Sequence, residues 1–136
     1  MTVLPSVKVK IQLVVNDSIA LGPGKADLLE AIQENGSISA AAVHMGMSYK
    51  RAWDLVITMN KSFKQTVVAT SVGGGKGGGA EITDFGSQVL VQYRDIEAKI
   101  TLVLKAEMSD LLFMLVTSEW VETFARTTRF STKSIK

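Results

Sequence analysis

The sequence contains no cysteine and only one histidine, His44. The absence of cysteine excludes disulfides, thiolate zinc sites, iron–sulfur clusters and thiol nucleophiles. A single imidazole cannot build a histidine-based metal site or supply two catalytic imidazoles. We expect His44 to pack at the end of a helix without a chemical role. The sequence therefore predicts no metal site and no catalytic residue, and we expect the protein not to be an enzyme.

Long apolar runs are also missing. The most apolar segment, residues 111–116, is six residues long and follows Asp110, whereas a membrane-spanning helix needs ~20 apolar residues. The amino-terminal residues MTVLPSVKVK lack the apolar region of a signal peptide. We therefore expect a cytoplasmic, nucleoid-associated protein that does not associate with a membrane.

Charge is nearly balanced over the whole chain but not locally. The 136 residues include 15 Lys and Arg against 13 Asp and Glu, a formal net charge of +2. Between His44 and Lys64, however, four basic residues stand against the single acid Asp54, so this segment alone carries +3. A net charge of +2 does not indicate a nucleic-acid partner, but a local concentration of basic residues does.

The first third of the chain predicts a β-hairpin followed by a helix. Apolar and polar residues alternate over residues 7–13, which is the pattern of a strand with one buried face. Asn16 and Asp17 are typical turn residues, and residues 18–21 can form the returning strand. Pro23 suits the first turn of a helix, which Asn35 and the following glycine end.

A helix-turn-helix unit is predicted between Ser37 and Lys64. Ser37 is a good N-cap for a short helix whose centre is alanine, Gly46 allows a sharp turn, and Ser48 caps a helix that runs to about Lys64. In such a unit the second helix enters the DNA major groove with its N-terminal residues against the bases. The alternative is a solvated basic helix face in an all-helical core.

The segment after this helix predicts a β-hairpin with a glycine tip. Residues 66–72 are rich in β-branched residues, residues 73–79 hold six glycines and Lys76, and residues 80–82 can return as a strand. This is typical of a wing whose backbone approaches phosphates. Two alternatives remain: a flexible hairpin without a partner, and a nucleotide-binding loop of an enzyme. The dinucleotide fingerprint, however, requires a helix that opens within the motif.

The longest helix is predicted over about residues 84–108, after the cap residue Thr83. Apolar residues recur along it at spacings of 4, 3, 4 and 3, the pattern of a seam between paired helices. We therefore predict a domain over residues 1–108 that includes this dimerisation helix, and a C-terminal amphipathic extension with a basic tail over residues 109–136. The predicted dimerisation residues are Val89, Tyr93, Ile96, Ile100 and Val103.

Two sequence segments resemble known transcription regulators. The run GSISAAA at residues 36–42 resembles the helix-turn-helix of LysR-type regulators. The run GMSYKRAWD at residues 46–54, with Met59-Asn60 and the wing VGGGKGGGA at residues 72–80, resembles the molybdate-responsive ModE-type regulators. The resemblance covers roughly residues 8–108. It implies an α+β fold, mainly α with little β: a winged helix-turn-helix with an N-terminal β-hairpin, a β wing and a long C-terminal dimerisation helix.

The resemblance also implies a function. Members of the family bind a palindromic operator in double-stranded DNA as homodimers, commonly to repress molybdate-uptake genes. We expect no cofactor and no molybdate sensing by this chain, because the residues after 108 are too few for the oxyanion-binding domain of full-length members. The predicted DNA-binding residues are Ser48, Tyr49, Lys50, Arg51, Asp54, Lys61, Gly75, Lys76 and Gly77.

Three points are left open by the sequence. Asp54 can accept a hydrogen bond from a cytosine amino group or pair with Lys50 on its own helix, and the second is favoured. Trp53 can lie near DNA, but packing in the core or between helix and wing is favoured. The alternative function for the whole chain is a winged-helix protein–protein interaction module that does not bind DNA.

Overall fold

The computed structural model describes residues 5–71 and 78–115, and these form an α+β fold in which helices predominate. The predicted fold class is confirmed. In chain order the elements are β1 (Leu13–Val15), β2 (Ser18–Leu21), α1 (Pro23–Asn35), α2 (Ile38–Met45), α3 (Tyr49–Ser62), β3 (Val68–Ser71), β4 (Gly79–Ile82), α4 (Asp84–Glu107) and α5 (Ser109–Phe113).

The N-terminal hairpin is present, but its first strand is shorter and later than predicted. Strand β1 pairs antiparallel with β2 across a two-residue turn, in which Asn16 and Asp17 both have positive φ, 48° and 65°. Two positive φ values are the geometry of the turn that best matches the twist of a hairpin. Because β2 has only four residues, the register leaves no partner in it for residues 7–12. The predicted strand over residues 7–13 is therefore wrong in its bounds, although exposure does alternate along residues 7–11.

Helices α1 to α3 begin where the sequence places their signals, and α3 ends at Ser62, two residues before the predicted end. Pro23 occupies the first turn of α1. The Ser37 hydroxyl caps α2 by accepting a hydrogen bond from the Ala40 amide at 3.0 Å. The Ser48 hydroxyl caps α3 by accepting from the Arg51 amide at 3.1 Å. Each cap satisfies one of the amides that a helix N-terminus leaves without a partner.

A hydrophobic core lies among the first three helices and the second hairpin. The largest of its fully buried side chains come from β2, α1, α3, β3 and the residue before β3, and 0–2% of their surface is exposed. Lys25 in α1 is also buried, and its amine donates a hydrogen bond to the Ile19 carbonyl oxygen, which links α1 to the first hairpin. Burial lowers the pKa of Lys25, because desolvation disfavours the charged amine. The largest core side chains are Leu21, Leu28, Leu29, Ile32, Val56, Met59, Val67 and Val68.

The first half of α4 is attached to this core by two neighbouring residues. Tyr93 is buried, and its hydroxyl donates to the Ile11 carbonyl oxygen at 2.7 Å. The Arg94 guanidinium donates to Asp27 at 2.6 Å, to Glu97 at 2.9 Å and also to Glu30. These contacts link α4 to α1 and to the segment before β1.

The chain divides into two compact units, and the predicted domain boundary near residue 108 stays a prediction. The larger unit is Lys10–Glu97 and holds both hairpins and α1 to α3. The smaller unit includes residues 5–9 and 98–115 among those described. It contains the end of α4 and the short helix α5, where Leu111 and Met114 are exposed. The basic tail predicted after residue 115 lies outside the described residues.

Gly86 lies where α4 packs closely against Val67, the residue before β3. A Cβ atom at this position would collide with the Val67 carbonyl oxygen and lie 3.0 Å from the Ile82 side chain. Because a backbone carbonyl cannot move aside cheaply, we expect Gly86→Ala to lower the free energy of unfolding by about 1–3 kcal/mol in urea denaturation.

Gly24 provides the matched control for this substitution. It lies in the first turn of α1, and a Cβ atom there meets nothing within 4 Å. Gly24→Ala should therefore leave stability unchanged or raise it by about 0.5 kcal/mol, because alanine restricts the unfolded chain more than glycine does. Equal effects of the two substitutions would contradict the close packing at Gly86.

Among the described residues, no helix is both long enough and apolar enough to cross a membrane.

Candidate nucleic-acid interface

Helices α2 and α3 form the predicted helix-turn-helix. Small residues lie where the helices pack: Ala41 and Ala42 in α2 and Ala52 in α3 are buried. Gly46 ends α2 with a φ of 67°, a left-handed conformation that glycine adopts without the steric cost of a Cβ. The Met47 amide then donates to the Ala42 carbonyl oxygen at 3.0 Å, which closes the turn before α3.

The N-terminal turn of α3 presents two basic side chains to solvent. Lys50 and Arg51 are both exposed. Lys50 pairs with Asp54, one turn along the helix, at 3.2 Å, so the favoured reading of Asp54 as an intrahelical partner agrees with the structure. Among the described residues Arg51 enters no salt bridge. Two cations at a helix N-terminus are opposed by the helix dipole, and a polyanion in front of the helix would offset that cost.

Lys61 lies on the same side of α3 as Lys50 and Asp54. These positions are separated by four and seven residues, a spacing that places them on one helical face, and Lys61 is exposed near the helix end. The opposite side of the helix holds the buried residues Val56 and Met59. Helix α3 therefore packs on the core along one side and carries polar and basic residues along the other.

An open groove of about 450 Å³ separates the start of α3 from the second hairpin. Tyr49 and Trp53 form part of its wall, with ring centroids 6.3 Å apart and ring planes inclined by 28°. Trp53 is therefore neither in the core nor fully covered by the wing, since 36% of its surface is exposed. The remaining lining residues are Ser37, Ile38, Ser39, Thr70, Ser71, Gly78, Gly79 and Ala80.

Asn60 attaches the second hairpin to α3. Its side-chain oxygen accepts hydrogen bonds from the Val67 amide at 2.9 Å and the Val68 amide at 3.1 Å. Its side-chain nitrogen donates to the Val68 carbonyl oxygen at 3.0 Å. On the other side of the hairpin, the Ala80 amide donates to the Gly36 carbonyl oxygen at 2.9 Å. These bonds fix the hairpin strands beside the helix-turn-helix.

The strands of the wing form an antiparallel hairpin beside α3. Strands β3 and β4 pair from Val68 opposite Ile82 to Ser71 opposite Gly79, as expected for the hairpin. Gly75, Lys76 and Gly77 lie outside the described residues, and their predicted contact with the DNA backbone stays a prediction.

Two residues of the site were assigned no definite role from the sequence. Asn60 entered only as part of the family resemblance. Its signal is its position directly after the buried Met59, where an amide side chain can reach backbone groups of the next segment. For Trp53 the sequence favours packing in the core or between the helix and the wing, and the structure places it in the groove between α3 and the second hairpin. Its spacing of four residues from Tyr49 predicts a shared helix face but does not indicate whether that face is covered.

The predicted dimerisation residues differ in their surroundings. Tyr93 is buried, and Val89 packs against the core of the larger unit. Ile96, Ile100 and Val103 are exposed by 48%, 36% and 60%. Only these last three have substantial surface available to another molecule, and their role in dimerisation stays a prediction.

The chain is similar in sequence to part of several larger proteins. It is 42% identical over 78 residues to the molybdenum transport protein ModE of Azotobacter vinelandii, covering 57% of this chain and 29% of that protein. It is 43% identical over 86 residues to the molybdenum-pterin-binding protein MopB of Rhodobacter capsulatus, covering 63% and 32%. It is 37% identical over 93 residues to the DNA-binding transcriptional dual regulator ModE of Escherichia coli K12, covering 68% and 35%. The chain thus spans about a third of the length of these relatives. No protein-family model matches it.

A solved structure shares the fold. The E41A mutant of Lactococcus lactis ZitR, a winged-helix regulator, superposes with a TM-score of 0.51 at 15% sequence identity, covering 95% of this chain and 86% of that one. The winged helix-turn-helix predicted from the sequence is confirmed by this likeness and by the arrangement of α2, α3 and the second hairpin. Over roughly its N-terminal 60%, the chain resembles proteins named ModE, MopA and MopB, several of which are named as transcriptional regulators.

Proposed function

We propose that the chain is a sequence-specific DNA-binding transcription regulator that inserts α3 into the major groove. The observation that carries the proposal is the exposed N-terminal turn of α3, where the Arg51 side chain enters no salt bridge within the described residues and its backbone amide donates to the Ser48 cap. A planar guanidinium in this position can donate two hydrogen bonds to one guanine. The name of the E. coli relative, a DNA-binding transcriptional dual regulator, supports the same function.

The target genes proposed are those of molybdate transport or molybdenum metabolism. The relatives from A. vinelandii and R. capsulatus are named for molybdenum transport and molybdenum-pterin binding. We propose no cofactor for the described residues. The test is to incubate the purified chain with fragmented genomic DNA of its source and to sequence the retained fragments. Enrichment of fragments upstream of molybdenum-related genes is expected, and enrichment elsewhere would contradict this choice of targets.

The regulator is proposed to act as a homodimer on a palindromic operator. The exposed Ile96, Ile100 and Val103 on α4 support this, because apolar residues repeating along one helix face pair favourably with a second helix. Two recognition helices related by a two-fold axis would contact half-sites about one DNA turn apart. Analytical ultracentrifugation tests the state directly, and a monomer bound to a single half-site would contradict it.

Lys61 is expected to add affinity without adding specificity. Lys61 is an exposed cation in the last turn of α3, whereas Arg51 lies in the first turn. The last turn of a helix that lies in the major groove passes near phosphates. Lys61→Ala should weaken binding to operator and unrelated duplex by a similar factor. It should also reduce the slope of log affinity against log salt by about 1. The measurement is fluorescence anisotropy over a salt series.

Gln33 provides a control for Lys61. It is exposed on α1 and carries no charge, so Gln33→Ala should leave the salt slope unchanged. If Lys61→Ala has the same slope of log affinity against log salt as wild type, Lys61 does not contact a phosphate.

A further inference from the structure

The groove between α3 and the second hairpin contains an aromatic surface that the proposed function does not yet use. Tyr49 and Trp53 stack on each other along its wall and keep 55% and 36% of their surfaces exposed. Aromatic side chains of this size bury much more of their surface in most proteins. Here the stacking fixes both rings while one side of the pair remains open.

The polar groups of the two rings are also unused. Within the described parts of the chain, no hydrogen bond involves the Tyr49 hydroxyl or the Trp53 indole N–H. The hydrogen bonds of the neighbouring strands are made by other groups, such as the Asn60 amide. A molecule that enters the groove can therefore contact the exposed surface of both rings and form hydrogen bonds with the Tyr49 hydroxyl and the Trp53 indole N–H.

The neighbouring charges indicate what that molecule is. Lys50 and Arg51 directly follow Tyr49 on the exposed turn of α3, so the aromatic pair adjoins a basic surface that attracts a polyanion. For DNA this turn lies against base edges in the major groove. The apolar group that a base presents there is the C5-methyl of thymine, which distinguishes T·A from the other base pairs.

We propose that Tyr49 and Trp53 together form a thymine-reading surface and make the protein prefer T·A pairs beside the base contacted by Arg51. The inference rests on the proposed insertion of α3 into the major groove and adds the base class that the aromatic pair selects. A contact of the same rings with sugar and phosphate would give affinity but no preference for the methyl group.

The experiment removes the methyl group and leaves all other groups in place. A duplex operator is first selected from randomised DNA with the wild-type chain, and each thymine is then replaced singly by deoxyuridine. Wild type should lose about fourfold in affinity at one or two adjacent positions in each half-site, since one buried methyl group contributes about 0.8 kcal/mol. Trp53→Ala and Tyr49→Ala should bind thymine and uracil duplexes equally at those positions.

Val91→Ala is the matched control, because Val91 is an apolar side chain 64% exposed on α4 and does not line the groove. It should keep the wild-type ratio between thymine and uracil. Circular dichroism of each variant establishes that it is folded, and if Trp53→Ala unfolds, Tyr49→Ala alone decides.

Three results would overturn the inference. A wild-type chain that binds its selected duplex but tolerates uracil at every position contacts no thymine methyl group. Variants that lose affinity yet keep the wild-type ratio use the rings for the backbone only. A wild-type chain that selects no duplex removes the proposed function as well, so failure of the inference alone is recognisable.

Discussion

Replacing Asn60 with alanine should lower the free energy of unfolding by about 2–4 kcal/mol. Asn60 accepts hydrogen bonds from the amides of Val67 and Val68 and donates to the Val68 carbonyl oxygen. Both valines are buried, with 0% and 1% of their surfaces exposed, so water cannot easily replace the lost partner. A buried donor left without a partner costs about 1–3 kcal/mol. Urea denaturation measures the loss.

Urea denaturation measures the stability of the whole fold, and amide hydrogen exchange measures the local effect of Asn60→Ala. The Val67 and Val68 amides should exchange faster in Asn60→Ala than in wild type by a factor larger than the change in global stability explains. Asn60→Asp keeps an oxygen that can accept from the two amides but places a second acceptor against the Val68 carbonyl oxygen instead of a donor, so it should also lower the free energy of unfolding. Unchanged protection of these two amides in Asn60→Ala would contradict the role of Asn60 in holding the hairpin to α3.

Replacing Arg51 with alanine should remove most of the discrimination at one base pair of the operator. A guanidinium that donates two hydrogen bonds to guanine contributes about 1–3 kcal/mol of discrimination. The ratio of affinities for operator and for a duplex altered at the contacted G·C pair should therefore fall by about tenfold or more. Competition binding with single-base operator variants measures this ratio at each position.

Two further substitutions separate charge from geometry at this site. Arg51→Lys keeps the charge but not the planar pair of donors, so it should retain affinity for unrelated DNA and still lose discrimination. Lys50→Ala removes a cation that is already paired with Asp54 at 3.2 Å, and it should affect discrimination less than Arg51→Ala. Full discrimination in Arg51→Ala would mean that another residue reads the base.

The elements that local signals specify could be predicted from the sequence. The caps Ser37 and Ser48, Pro23 in the first turn of α1, and Gly46 between α2 and α3 all act through groups a few residues away. Their effects depend little on the rest of the fold. The order of helices and hairpins therefore followed from the residues alone.

The features that depend on distant partners could not be predicted. Alternation over residues 7–13 suits a strand, but the length of β2 and the tight turn after β1 decide which residues pair. The seam on α4 repeats regularly, yet Tyr93 faces the core of its own unit while Ile96 is exposed. The spacing of three and four residues is the same for a side chain that packs on its own core as for one that is exposed, so it does not distinguish Tyr93 from Ile96.

The candidate site was predictable in its basic residues and not in its shape. The order of Ser48, Lys50 and Arg51 predicts that they lie at the start of α3, and the structure places them there, while their contact with DNA stays a prediction. Asn60 bonds the second hairpin to α3 near the end of the helix. At the start of the helix a groove separates the two and leaves Tyr49 and Trp53 exposed. That distance is set by contacts between segments and leaves no periodic signal in the sequence.

The central claim is that the chain reads DNA sequence through α3. It is tested most directly by the affinity of the purified wild-type chain for its selected operator and for a duplex of the same composition in shuffled order, measured across a salt series. We expect the operator to bind about a thousandfold more tightly or better, with both affinities falling as salt rises. Equal affinity for the two duplexes, or no binding to either at low salt, would contradict the claim and favour a winged-helix module that binds protein.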